Sequence, residues 1–234
     1  MNRSLAFLGL ALAFVVVLPL RADEKAEVLV HKMVERDKEL ERHRAAYFYT
    51  VKETRQKLDG EGKVVDSSVE TVTLRGTESS DHGTAKKMEI EAGAEQAAHE
   101  EPFSILKIVD HYQYTLEGDE VIDGVPCYKV RFSPKKDQPF RNREEKVANG
   151  LAGYLWFAKS DYTLIRNEGK LLQPVSVAWF FATLREVDFL FKAAPLPNGE
   201  WGPALIQYRF RVQIPLSEIH ERHIRVMKDY RKAR

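Results

Sequence analysis

A single cysteine, Cys127, stands in a chain of 234 residues. It excludes a disulfide framework within the chain and any zinc site built on several thiolates. Charge of one sign is lacking too: 36 Lys and Arg meet 35 Asp and Glu, for a formal net charge of +1. So balanced a chain has no basic footprint for nucleic acid, and no nucleic-acid partner is expected. There is no Gly-rich nucleotide fingerprint, no P-loop and no Gly-x-Ser-x-Gly elbow, so the sequence implies no cofactor and offers no nucleophile motif. No segment repeats at a fixed period and no Pro- or Ser-rich linker divides the chain, so residues 23–234 are expected to form one domain. With 44% apolar residues it can bury a core.

Long apolar runs are scarce, with one exception at the start. Arg3 opens a positive segment, Leu5 to Leu20 is continuously apolar, and Ala22 supplies a small residue for cleavage. This is the pattern of a secretory signal peptide over residues 1–22. As a helix, 16 residues reach about 24 Å, short of the roughly 30 Å hydrocarbon core of a bilayer, so no stable span is expected after cleavage. No Cys follows the run to carry a lipid anchor. Removing residues 1–22 takes Arg3 and Arg21 and no acid, leaving 34 bases against 35 acids, a formal charge of −1. The expected location is the periplasm or cell envelope.

Residues with catalytic or metal-binding chemistry do not converge. His220-Glu221-Arg222-His223 unites two histidines and an acid, but on a strand the two histidines point to opposite faces, and the zinc-protease spacing is absent. His31 and His43 lie 12 apart on one helix, about 18 Å along its axis, too far to share a metal. Glu100-Glu101 and Glu144-Glu145 sit in polar runs and read as solvated. Cys127 falls in an alternating strand with Lys129 and Arg131 on its face, and no nearby histidine activates it as a nucleophile. No metal and no catalytic residue is assigned, and the reading is non-enzymatic.

Periodicity supplies the architecture. Leu29, Met33, Leu40 and Tyr47 recur at helical spacing within Ala26 to Tyr47, flanked by charges of alternating sign, and predict an amphipathic helix. Beyond Tyr47 the period becomes two. Asp59-Gly60-Glu61-Gly62 and Asp123-Gly124 are hairpin turns. Strands are predicted at 63–75, 111–117, 120–122, 128–132, 154–159, 163–166, 185–191 and 206–214, with a final run, 220–230, to close the sheet. Between them the polar stretch 76–102 carries weak signals for a strand at 88–90 and a helix at 94–99, and is expected to be the most mobile part. Val175 to Ala182 and Tyr154 to Ala158 are apolar on both faces, so both sides of the sheet need cover.

One helix after a signal peptide, followed by a strand meander, resembles the periplasmic lipoprotein-carrier superfamily. That superfamily includes the outer-membrane lipoprotein-sorting carriers and receptors and the lipid-sensing regulators of the envelope stress sigma factor. The resemblance is carried by Val121-Ile122-Asp123-Gly124-Val125-Pro126-Cys127-Tyr128-Lys129-Val130, by Gly153-Tyr154-Leu155-Trp156-Phe157 with Thr163-Leu164-Ile165-Arg166, and by Gly199-Glu200-Trp201-Gly202-Pro203. It departs from the family in the long polar segment 76–102 and in Trp156-Phe157-Ala158-Lys159, where an acidic turn-leading residue is commoner. The resemblance implies an α+β fold: a strongly curved antiparallel β-sheet, a half-barrel, with an N-terminal helix and short helices covering its concave face. It implies an apolar cavity for lipid or lipoprotein acyl chains.

The expected function is a non-enzymatic carrier or chaperone for a hydrophobic ligand in the envelope. Trp156, Trp179, Phe180, Tyr208 and Phe210 are the candidate cavity-lining residues. An envelope signalling or interaction module that binds another protein with the same fold is the first alternative, and a hydrolase the second.

Overall fold

The computed structural model describes residues 20–75, 109–178 and 182–233. Helix α1 spans Leu20–Arg44, and Arg42, His43 and Arg44 in its last turn complement the helix dipole. Its buried positions Ala26, Leu29, Val30, Met33 and Val34 repeat at three and four residues and form one apolar stripe, which Leu40, seven residues beyond Met33, continues. The helix stops three residues before Tyr47, which the periodicity counted as helical but which opens β1. Tyr47 is buried in either role, and apolarity alone cannot distinguish the last turn of a helix from the first residue of a strand.

Among the described residues ten strands form one antiparallel sheet. They are β1 (Tyr47–Leu58), β2 (Val64–Arg75), β3 (Tyr112–Ile122), β4 (Val125–Pro134), β5 (Leu151–Ala158), β6 (Leu164–Leu171), β7 (Val175–Ala178), β8 (Ala182–Pro195), β9 (Trp201–Ile214) and β10 (Ser217–Lys232). A short helix, α2 (Arg143–Ala148), sits between β4 and β5; Asn142 caps it by accepting the Glu145 N–H. The strand order is β2-β1-β10-β9-β8-β6-β5-β4-β3, with β7 paired to β8. Every neighbouring pair but two joins strands consecutive in sequence. One exception is β8 with β6, which passes over β7; the other is β1 with β10, so the final strand lies inside the sheet and ties the N-terminal hairpin to the meander.

Local chemistry sets the turns. Asp123 and Gly124 both have positive φ, 49° and 84°, the pair that a two-residue hairpin demands. The segments 111–117 and 120–122 are one strand, bent at a bulge where Gly118 adopts φ 127°. The expected strand at 88–90, the expected helix at 94–99 and the mobility of 76–102 fall outside the described residues.

The sheet is curved around α1. Helix α1 packs on β3 and also touches β9. The fold is an open α+β half-barrel with the helix against its concave side. Polar contacts hold the helix to three separate connections. Arg36 donates to Asp161 at 3.2 Å, His43 meets Glu200 at 2.6 Å and His31 lies 3.9 Å from Asp110. Among the described residues no helix is long and apolar enough to cross a membrane.

Candidate functional site

Side chains directly opposite one another on paired strands share a face, so the registers map the concave surface. One row crosses the sheet from Phe132 through Gly153 and Gly169 to Phe189, Tyr208, His223 and Arg55. A neighbouring row runs from Val130 through Leu155, Asn167, Phe191 and Ile206 to Arg225 and Glu53. Along the first row aromatic rings separated by two glycines lead to His223 and Arg55, and along the second apolar side chains interrupted by Asn167 lead to Arg225 and Glu53.

The first zone is the core beneath α1. Leu29, Val30, Met33 and Val34 pack with Tyr112, Tyr114, Val130, Phe132, Leu155 and Phe157, while Phe189 and Phe191 are partly buried at its margin. The Tyr112 hydroxyl donates to the Ala148 carbonyl at 2.6 Å, and that of Tyr114 to the Val109 carbonyl at 2.7 Å, so neither phenol is left unsatisfied in the apolar interior. Asn167 is the anomaly here. It is 7% exposed, and its Oδ1 has no hydrogen-bond partner among the described residues.

The second zone is a half-buried aromatic stretch. Tyr208 and Phe210 stack with ring centroids 6.3 Å apart, and Tyr208 stacks on the His223 ring at 4.8 Å. Phe189 lies beside Tyr208 across the β8–β9 pairing.

The third zone is ionic. Glu53, 5% exposed, accepts from Arg55 at 2.8 Å and from Arg225 at 3.2 Å. The His223 imidazole stands 3.7 Å from the same carboxylate, an ion-pair distance, and bonds Glu221 at 2.9 Å and the Tyr208 hydroxyl at 3.1 Å. His223 first, then the two guanidinium groups, hold the Glu53 carboxyl down at about 2 against the opposing effect of burial. The same contact with Glu53, followed by Glu221, raises the His223 pKa. Two Arg and one His face two Glu, so the cluster is near balance and its charges are largely answered from within.

The opposite face carries a second, smaller core of Ile122, Cys127, Trp156, Ala158 and Ile165. Trp156 donates its indole N–H to Glu120 at 3.0 Å and is flanked by Lys129 and Arg166, 5.4 and 5.1 Å from its ring. Burial pushes the Cys127 thiol up to about 11, and the side chain is fully enclosed. Such a thiol is protonated at physiological pH and inert.

The candidate lining residues are therefore divided. Tyr208 and Phe210 lie on the concave face. Trp156 lies on the other face, because Leu155 and Phe157 take the inward positions of β5. Trp179 and Phe180 fall outside the described residues. Phe189, Phe191 and Asn167, absent from the candidate set, share the concave face with Tyr208 and Phe210. The alternation of Val187, Phe189 and Phe191 was the available signal for two of them. His220 and His223 do face apart: His220, opposite Arg211, bonds the Asp59 carbonyl at 2.9 Å. Among the described residues no cluster of His, Cys, Asp or Glu is arranged to hold a metal.

No protein-family model matches the chain, and no curated protein matches it. Solved structures do. A domain named for outer membrane lipoprotein sorting, from Vibrio parahaemolyticus, is 13% identical, with 90% of this chain and 93% of that one covered and a TM-score of 0.44. A LolA superfamily protein from Nitrosomonas europaea is 12% identical, with coverage of 87% and 93% and a TM-score of 0.35. The Pseudomonas aeruginosa MucA/MucB complex supplies a chain 10% identical, with coverage of 90% and 99% and a TM-score of 0.27.

Outside the concave face, an open groove of about 570 Å³ follows the outer flank of α1 at the β5–β6 turn. Its charges are paired, Arg36 with Glu39 at 2.6 Å and with Asp161 at 3.2 Å. The groove belongs to the fastening of the helix. The concave face, with its half-buried aromatic zone beside an apolar core, is the surface whose chemistry suits a ligand.

Proposed function

We propose that this protein is exported to the cell envelope by a cleaved signal peptide and there binds a hydrophobic ligand, a lipid or the acyl chains of a lipoprotein, on the concave face of the sheet. The role is that of a non-enzymatic carrier or chaperone. One observation carries the reading: Phe189, Phe191, Tyr208 and Phe210 line the concave face beyond the α1 stripe and are only partly buried there. An aromatic strip inside a curved sheet is surface held ready for apolar matter.

The energetics suit reversible carriage. At about 0.8 kcal/mol per buried methylene, a chain of ~14 carbons gains of order 10 kcal/mol gross, less the costs of association and ordering. No charged anchor is needed for that, in keeping with an ionic cluster whose groups answer one another.

Native mass spectrometry of protein purified without detergent tests the reading, together with displacement of a fluorescent fatty acid. A co-purifying lipid and saturable displacement are expected. A clean apo mass together with no fatty-acid binding overturns it. The intact mass of protein from the periplasmic fraction tests export, with a chain beginning at Asp23 as the expected species.

A further inference from the structure

We propose that Asn167 reads the polar group of the ligand on the concave face, and selects a lipid that carries a hydrogen-bond donor, an amide N–H or a hydroxyl, next to its acyl chain. The inference rests on the reading of that face as a ligand surface and goes beyond it by naming the class of ligand.

Nothing in the fold uses this side chain. Asn142 caps α2, Asn149 donates to the carbonyls of Gln138 and Pro139, and Asn198 donates to Glu200; all three stand in turns or at helix ends, where such amides are at home. Asn167 stands instead in the middle of β6, a setting that disfavours Asn, with Leu155 and Phe191 opposite it on the concave face. Its Oδ1 is sealed from water and has no hydrogen-bond partner among the described residues. Gln56, Arg211 and His220 also carry a buried polar atom without a partner, but they lie on the convex face. There Arg211 still donates to the Gly60 carbonyl and His220 bonds that of Asp59.

The chemistry of the unpaired atom selects the ligand. A buried acceptor without a partner costs the empty protein stability, and a donor brought by the ligand recovers it. Esters and ionised carboxylates only accept, so they leave Oδ1 as it was; an amide N–H or a hydroxyl satisfies it. A half-turn of the side-chain amide lets Nδ2 meet an ester, but Oδ1 still lacks a donor. Access comes from one side. Leu155 is sealed in the core, whereas Phe191 is only partly buried. Opposed side chains on paired strands stand about 4.5–5.5 Å apart at Cβ, so a chain that displaces the Phe191 ring along the aromatic strip lies within reach of the amide.

Three probes of equal chain length test this by displacement of a fluorescent fatty acid from the full chain. N-methylhexadecanamide and methyl hexadecanoate differ only in an N–H for an ester oxygen, and hexadecanol supplies the hydroxyl. The amide, the alcohol or both should bind about tenfold or more tighter than the ester. Asn167→Leu keeps the branched shape and removes the polar atoms. It should erase that preference and leave the ester within about twofold of its affinity for the parent, while the urea midpoint holds or rises because the unpaired acceptor is gone. Tight binding of the amide alone points to an amide-linked acyl chain, of the alcohol alone to a hydroxyl-bearing lipid, and either supports the proposal. Equal affinities for all three probes in the parent, or a preference that survives Asn167→Leu, overturn it and leave the concave face a ligand surface. Binding of no probe at all defeats that reading, and this inference with it.

Discussion

The Phe189 ring lies against Gly169, where a methyl group would stand 2.8 Å from the ring's Cε1 and Cζ atoms. Next to it, a Cβ on Gly153 would come within 1.9 Å of the Glu168 carbonyl oxygen. These two glycines face each other across β5 and β6, so the strands approach with no side chain between them and the aromatic ring covers the bare backbone from β8. The inner surface between the apolar core and the aromatic zone depends on this arrangement.

Gly169→Ala must therefore push the Phe189 ring aside and also crowds the Ala152 carbonyl oxygen at 2.6 Å, at an overpacking cost of about 2–3 kcal/mol or more. Gly153→Ala meets only backbone and much closer, 1.9 Å from the Glu168 carbonyl oxygen, and should cost more or prevent folding. Urea midpoints measure both. A Gly153→Ala variant as stable as the parent would refute the close approach.

Glu53 and His223 give stability a two-sided dependence on pH. The Glu53 carboxyl, at about 2 in the folded chain against 4.5 ordinarily, contributes fully above about 4.5 and loses that contribution as pH falls through 2. His223, raised above 6.5, contributes fully below 6.5 and loses it as pH climbs through its folded value. Stability should peak between those limits. Glu53→Gln should cost roughly 3 kcal/mol near pH 6, because it leaves Arg225 and His223 without their buried counter-charge. The gap between the variant and the parent should close toward pH 2. Denaturant titrations across pH 2–8 read this directly, and a constant gap would show that the carboxylate's charge is not what matters.

Much of the architecture was legible because it is local. The meander from β3 to β6 and from β8 to β10 follows from alternating strands and from turns such as Asp123-Gly124, whose chemistry is read within four residues. The pairing of β1 with β10 was not legible, since no local signal links Thr54 to Ile224. The ionic cluster was hidden for the same reason: Glu53 and Arg225 are 172 residues apart. Taken alone, each is an ordinary charge in an alternating strand. Trp156 shows a different limit. Tyr154 to Ala158 is apolar on both faces, and periodicity has nothing to say about which face turns inward until the register is known.

Cys127 should behave as a sealed thiol. Enclosed among Ile122, Trp156 and Ile165, and donating only to the Val125 carbonyl at 3.3 Å, it presents neither thiolate nor access. An aromatic disulfide reagent at pH 8 should label the native chain at the rate of opening rather than of chemistry, at least a thousandfold slower than the chain in guanidinium. Fast stoichiometric labelling of the native protein would contradict the packing of that face.

The two faces of β5 and β9 allow the proposed ligand surface to be separated from mere stability. Phe210→Ala and Tyr208→Ala each remove a half-buried ring from the concave face. If an acyl chain lies there, each should weaken fluorescent fatty-acid binding by about 10- to 100-fold, the equivalent of some 1.5–3 kcal/mol of lost apolar contact. Trp156→Phe disturbs only the outer core, because the indole bonds Glu120 and is sandwiched by Lys129 and Arg166 on the far side of the sheet. It should lower the unfolding midpoint by the loss of one charge-assisted hydrogen bond and leave the dissociation constant within twofold of the parent's. Weakened binding in Trp156→Phe with unchanged binding in Phe210→Ala would place the ligand on the convex face and reverse the assignment.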